Sequence, residues 1–247
     1  MRVASKRIEL TCCISVDYDM KFLPHFLQHY SNTVNKFSFI FHSSNDFNVD
    51  PFYDYFKTLS YFRTFNTEKW VGRFNAIDKV DLLNELSVKS KHDYILTADV
   101  DEFQIWDKKA HFSKKDIVWG TLRDRESLSK TLPDITSKDI FKQFPLTTNR
   151  TQWGDQNHKP CLFPSGTLLS TPHNIVGAKM DGEFPHLTIE HFRWAKGRLE
   201  KSEERLANYK KLNKEGKKWT HKQNVYNNLP ITDLVNRITE IKGKSTI

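Results

Sequence analysis

The first hundred or so residues alternate short apolar runs with stretches of helical spacing, and this rhythm limits the fold more than any other feature. Ile8–Val16 reads as a first strand. Met20–Tyr30 then carries Phe22, Leu23, Phe26, Leu27 and Tyr30 at helical spacing, with Pro24 tolerable only in a first turn. Lys36–Ser44 is a second strand, Asp50–Leu59 a short helix and Tyr61–Asn66 a third strand. Arg73–Leu86 places Ala76, Ile77, Val80, Leu83 and Leu86 along one helix, and Asp93–Val100 is the next strand. Such alternation predicts an α/β domain around a mixed, mainly parallel sheet flanked by helices. In sheets of this kind ligands bind beyond the carboxyl ends of the strands.

Beyond this point the pattern is mixed. Asp116–Asp124 reads as a strand, and Pro145–Pro160 as a polar loop. "CLF" and "TLLS" are strands either side of the turn "PSG", and His186–Trp194 is a final strand. Arg198–Leu212 is an amphipathic helix, and "ITDLVNRITEI" a further helix near the end. We expect a main α/β domain over residues 1–195 and a helical extension packed on it over 196–247. At 247 residues the chain can bury a substantial core, and 18 Phe, 8 Tyr and 6 Trp supply it. No run approaches the ~18 apolar residues of a membrane span, and the start lacks the cleavage pattern of a signal peptide. Three cysteines, Cys12, Cys13 and Cys161, do not suit a disulfide scaffold and suggest a reducing, cytoplasmic compartment. The "NRT" at Asn149 is then a chance match to a glycosylation acceptor.

The net charge of +8 implies anionic partners. Basic residues concentrate in Arg193–Lys222. Three readings of that segment are a solvated helix face with Glu–Lys pairs, peripheral attachment to an anionic membrane, and contact with a partner. The pairs within "EKSEERLANYKK" favour the first.

The chemistry concentrates in "YILTADVDEF". Asp99, Asp101 and Glu102 follow directly on an apolar strand. Clustered carboxylates repel, and burying them is costly without a partner. They are either solvated or capping groups, or they hold a cation. If the strand stays extended, Asp99 and Asp101 point the same way. Two carboxylates there suit a hard divalent ion, Mg²⁺ or Mn²⁺, shared with substrate phosphates.

This segment resembles the D-x-D motif of GT-A glycosyltransferases, especially the family 2 and family 92 relatives that carry D-x-D-E-F. "FLPHFLQHY" resembles the helix after their first strand, and "WGTLRDRES" is similar to a G-x-x-x-D-R element after the D-x-D strand. "FKQFPLTTNRT" followed by Lys159, and "EHFRWAKG", resemble later segments, so the likeness runs in order over about residues 8–210. It implies a Rossmann-like GT-A domain that moves a sugar from a nucleotide-diphosphate sugar to a glycan or glycoconjugate hydroxyl. It also implies Mn²⁺ or Mg²⁺ as cofactor and no nucleic-acid partner. One departure concerns the nucleobase: family 2 enzymes usually carry an acidic cluster after strand two, where this chain has "HSSND".

By this resemblance Asp101, Asp99 and His191 are the metal ligands. Asp99, Arg73, Lys159 and Asp17 are the donor-binding candidates, Asp17 standing with Asp19 at the exit of the first strand. His173 and His186 are weaker alternatives for that metal role, and the other reading of His191 is a hydrogen-bonded structural histidine. For Arg73 and Lys159 it is a surface charge. An inverting transfer needs a base for the acceptor hydroxyl; Asp124 is the first candidate, then Asp155 and Glu102. Asp124 could instead pair with Arg123 or Arg125. Trp153 and Trp194 could stack on a sugar, although core packing suits each better. Two other classes compete. A haloacid-dehalogenase-like phosphatase would use Asp99 as nucleophile and Asp101 as acid/base, but Glu-Phe follows where Gly-Thr is expected. A basic nucleic-acid binder would need a recognition motif that the sequence does not supply.

Overall fold

Strand-forming runs lie side by side at the start of the chain, and helices cover both faces. A computed structural model describes residues 7–59, 64–106, 116–129, 131–136, 138–149, 158–178 and 186–214. In chain order the elements are β1 (Ile8–Ser15), α1 (Leu23–Tyr30), β2 (Lys36–Ser43), α2 (Asp50–Lys57), β3 (Phe65–Val71) and α3 (Ala76–Lys89). There follow β4 (Tyr94–Thr97), β5 (Glu102–Ile105), β6 (Val118–Glu126), α4 (Ile140–Gln143), β7 (Leu146–Asn149) and β8 (His158–Pro164). The last are β9 (Leu169–Thr171), β10 (Asn174–Ile175), β11 (His186–His191) and α5 (Arg198–Lys214).

Among the described residues the main sheet has nine strands in the order β3-β2-β1-β4-β8-β6-β11-β5, with β7 paired to β6. β1 to β4 are mutually parallel along this path. β8 is antiparallel to both β4 and β6, and β11 runs parallel to β6. β1, β2, β3, β4, β6 and β11 therefore point one way, and only β5, β7 and β8 run against them. This is the mixed, mainly parallel α/β sheet of a Rossmann-like GT-A domain. All six co-directional strands end at one edge, which is where a site is expected.

Period-2 alternation sorts the core onto two faces. Leu10, Cys12 and Ile14 of β1 and Phe37, Phe39 and Phe41 of β2 meet Leu23, Phe26, Leu27 and Tyr30 of α1. Phe39 stacks on Phe56 at 5.2 Å and Phe41 on Phe52 at 4.6 Å, which fastens α2 to the same face. Each fully buried Phe is worth roughly 1.5–3 kcal/mol in transfer free energy. On the other face Cys13, Ile40, Ile95 and Phe163 meet Val80, Leu83 and Leu86 of α3. The start of α3 is fixed by Asn75, whose Oδ1 accepts the Ile77 N–H at 2.9 Å.

Several boundaries differ from those expected. The third strand runs over Phe65–Val71, pairing with β2 from Phe65 opposite Phe37, and Tyr61–Arg63 of the expected run lie outside the described residues. The strand expected over Asp116–Asp124 runs from Val118 to Glu126, and the last sheet strand stops at His191 instead of Trp194. β5 has no counterpart in the sequence reading: four residues after an acidic turn give little periodicity to detect. No helix among the described residues is long and apolar enough to cross a membrane. "ITDLVNRITEI", Asp155 and Trp153 lie outside the described residues.

Candidate functional site

The acidic run sits where β4 ends, but not as an extended strand. The chain turns at Asp99–Glu102: the Glu102 N–H donates to the Asp99 carbonyl at 2.9 Å, and Glu102 Oε2 accepts the Asp99 N–H at 3.0 Å. The expected same-side alternation of Asp99 and Asp101 is therefore replaced by two turn positions. Both still line one cleft, of about 140 Å³ and open to solvent, at the carboxyl edge of the sheet.

Each acid in the cleft faces a basic side chain. Asp99 Oδ1 accepts from Lys79 Nζ at 2.5 Å, and its Oδ2 is 4.0 Å from Lys159 Nζ. Glu102 Oε2 is 2.6 Å from Lys159 Nζ, with both side chains buried. Asp101 Oδ2 is 3.3 Å from His191 Nε2, and His191 Nδ1 is 2.8 Å from Asp124 Oδ1. Asp19 pairs with Lys201 of α5. Burial would raise the carboxyl of Asp99, but Lys159 and Lys79 outweigh it and hold the group below its ordinary range. Burial likewise opposes ionisation of Asp101. The charge and hydrogen bond of His191, with Lys201 and Arg198 behind them, hold it well below the usual carboxylate range. Lys159 is pushed up despite burial, by Asp99 and Glu102.

β6 and β11 place the Asp101–His191–Asp124 line. Their parallel register sets Asp124 opposite His191, and the Phe192 N–H anchors the Asp101 carbonyl at 2.8 Å. Asp124 does not pair with Arg123 or Arg125. Both arginines reach Glu190 on the opposite face, Arg125 Nε at 2.5 Å. Asp124 is 2% exposed, so its side chain stands behind His191 instead of opening onto the cleft.

The donor-binding candidates separate. Lys159 is buried among the acids and is no surface charge. Arg73 is exposed and does not line the cleft; its neighbour Phe74 does. Asp17 is exposed, and Asp19, two residues on, is the buried acid of that loop. His173 also lines the cleft, its Nδ1 3.0 Å from the His158 carbonyl. Trp194 is buried and carries the Arg193 guanidinium at 4.4 Å from its ring, in keeping with core packing.

The largest departure is α5. A solvated basic face was favoured for it, and Lys210 and Lys211 do face solvent. Yet Arg198, Lys201 and Arg205 line the cleft, and Lys201 is 8% exposed. Their i, i+3/4 spacing, placing three cations on one helix face, was the available signal. Further tethers hold this face down. Ser44 Oγ donates to Glu204, and the Arg205 guanidinium lies 4.3 Å from the Phe74 ring centroid.

Among the described residues, no three His, Cys, Asp or Glu side chains converge as a ready-made metal site. The Asp101–His191 pair nonetheless fits a divalent ion that takes its other ligands from substrate phosphates and water. Its two donor atoms are neighbours, and the histidine's other nitrogen is fixed by a carboxylate, as metal-ligating histidines usually are.

No protein-family model and no curated protein sequence matches the chain. Among solved structures, a 4-diphosphocytidyl-2C-methyl-D-erythritol synthase aligns at 15% identity with a TM-score of 0.33, over 65% of this chain and 76% of its own. TarS of S. aureus aligns at 7% identity with a TM-score of 0.39, over 89% of this chain but only 41% of its own. Likeness at this level carries no conclusion about chemistry, which rests on the cleft itself.

Proposed function

We propose that the cleft binds a nucleotide-diphosphate sugar and that the protein transfers the sugar to a hydroxyl acceptor on a glycan or glycoconjugate. The observation that carries this reading is the Asp101–His191–Asp124 line, set at the carboxyl edge of a mainly parallel sheet in a cleft also lined by Lys79, Arg193 and Arg198. A leaving diphosphate needs its charge neutralised. Asp101 and His191 would hold Mn²⁺ or Mg²⁺, which when bound stabilises that charge. Asp99, kept ionised by Lys79 and Lys159, would accept hydrogen bonds from the donor's ribose or from ordered water. Lys159 then supports the acids from below and does not reach the donor.

Transfer with inversion joins the acceptor oxygen to the sugar's anomeric carbon as the bond to the diphosphate breaks, and a base takes the hydroxyl proton. Asp124 and Glu102 are engaged by His191 and Lys159. Of the three candidate bases, Asp155 lies outside the described residues. Peripheral membrane contact through the basic C-terminal segment belongs to the same proposal.

A thermal-shift panel of nucleoside diphosphates and their sugar conjugates, with and without Mn²⁺, tests the reading. Ligands that bind the native state raise the melting temperature by mass action. A shift for one nucleotide that needs Mn²⁺ and disappears in Asp101→Asn supports it and identifies the base. Silence across the whole panel with a folded protein removes it.

A further inference from the structure

Helix α5 buries Tyr209 and Leu212 in its second half, but its first half turns charge inward. Arg198, Lys201 and Arg205 face the cleft, and the Lys201 ammonium is buried against Asp19. Asp19 also accepts the Ser15 N–H, at 3.4 Å. It is therefore anchored to the end of β1, while Lys201 comes from a helix 182 residues further along the chain.

Positive charge on this wall exceeds what its internal partner supplies. Burial lowers the Lys201 ammonium below its ordinary range, and Arg205 and Arg198 push it the same way, although Asp19 and Asp101 oppose them. Arg198 Nε is a buried N–H with no hydrogen-bond acceptor among the described residues, a costly state for an ionised donor. A wall of this kind is short of anions, and Asp19, its direct ion-pair partner, occupies Lys201 from the same cleft.

We propose that α5 forms one wall of the donor site, and that Lys201 exchanges its internal partner Asp19 for a diphosphate oxygen of the incoming nucleotide, with Arg198 as a further anion ligand. This rests on the donor-site reading above and names residues for it. Asp19 acts as a stand-in anion that holds Lys201 in place until the ligand arrives. It therefore competes with the ligand: two anions in reach of one ammonium repel each other.

The competition gives the two partners opposite signs. Binding of inorganic pyrophosphate is measured by calorimetry in EDTA, on the full chain, with Lys210→Gln as an exposed control on the same helix. Lys201→Gln is expected to weaken binding about tenfold or more, the loss expected when one charge-assisted contact is removed. Asp19→Asn is expected to tighten binding severalfold, and Arg198→Gln to weaken it. The proposal is overturned if Asp19→Asn and Lys201→Gln weaken binding alike, since the pair is then structural. It is equally overturned if neither changes it, or if pyrophosphate does not bind. Melting temperatures of each variant separate lost binding from lost folding, and Lys201→Arg, which keeps the charge, should bind if Lys201→Gln proves unstable. The same variants, assayed with the nucleotide panel, keep the two readings apart. Pyrophosphate binding that depends on Lys201 without any nucleotide-sugar binding leaves α5 as an anion site and removes the transferase. Nucleotide-sugar turnover unchanged in Lys201→Gln does the reverse.

Discussion

Asp124 Oδ1 and His191 Nδ1 stand 2.8 Å apart on neighbouring parallel strands, so the imidazole presents its other nitrogen, Nε2, to Asp101. Nδ1–H donating to the carboxylate would leave Nε2 to a bound metal, in place of its hydrogen bond to Asp101. Removing the acceptor frees the ring to turn. Asp124→Ala should lower Mn²⁺ affinity about 10–100-fold, and Asp124→Asn, which still accepts the hydrogen bond, should lose less. Calorimetric titration with Mn²⁺ in the presence of a nucleoside diphosphate reads this directly. Unaltered affinity in both variants assigns Asp124 to the fold and takes the metal away from His191.

Gly120 sits in the middle of β6, between β8 and β11. A Cβ there would lie 2.6 Å from Cys161 Sγ and from Ile189 Cδ1 and Cγ1. The glycine in the "WGTLRDRES" element is thus explained by packing. Gly120→Ala must push two fully buried side chains aside and should cost about 1–3 kcal/mol. For a chain of this size the melting temperature falls by roughly 2–4 °C per kcal/mol. An unchanged melting temperature would show that the sheet accommodates the methyl freely.

Much of this site was legible because the acids follow an apolar run that could only be a strand, and because alternation placed that strand's end at the ligand edge. His191, at the end of "HLTIEH", was singled out by the resemblance alone. The partners were not. Lys79 and Lys159 lie 20 and 60 residues from Asp99 in sequence, and nothing local distinguishes a buried lysine from a solvated one. Asp17 and Asp19 look equivalent in the same loop, and only the arrival of α5 over β1 decides which is buried. Lys201 follows the same logic: in a helix dense with Glu and Lys, the inward cation becomes visible only when the surface beneath it proves to be acidic rather than apolar.

Away from the cleft, Glu9 is buried within β1 and held by Ser38 Oγ at 2.5 Å, Ser90 Oγ at 2.6 Å and Lys36 Nζ at 2.9 Å. Burial would raise its carboxyl, but these bonds outweigh burial and lower it. A depressed native value means that the unfolded chain takes up the proton first as pH falls. The stabilisation is therefore complete above the unfolded carboxyl value of about 4.3 and is lost as pH drops through the native one. Glu9→Gln should cost about 1–3 kcal/mol at neutral pH. In urea titrations from neutral to acid pH, the gap between wild type and variant should close below pH ~4. A gap that stays constant or widens would contradict the sign.

Lys159 was expected to reach the donor, and its surroundings point elsewhere. Both it and Glu102 are about 4% exposed at the side chain, and their charges stand 2.6 Å apart under the acidic turn. Removing one partner leaves the other ionised and buried, a loss of about 3–5 kcal/mol in such pairs. Removing both leaves neither of the two stranded, and Asp99 keeps Lys79. Lys159→Met should therefore destabilise the protein strongly, and Lys159→Met with Glu102→Gln should recover much of that loss. Chemical denaturation of the single variants and the double variant gives the coupling between the two sites. A surface or donor-contacting lysine would behave otherwise: Lys159→Met would leave the denaturation midpoint unmoved and weaken nucleotide binding instead. The two outcomes lie in different measurements, so one set of variants decides whether Lys159 holds the acids in place or binds the substrate.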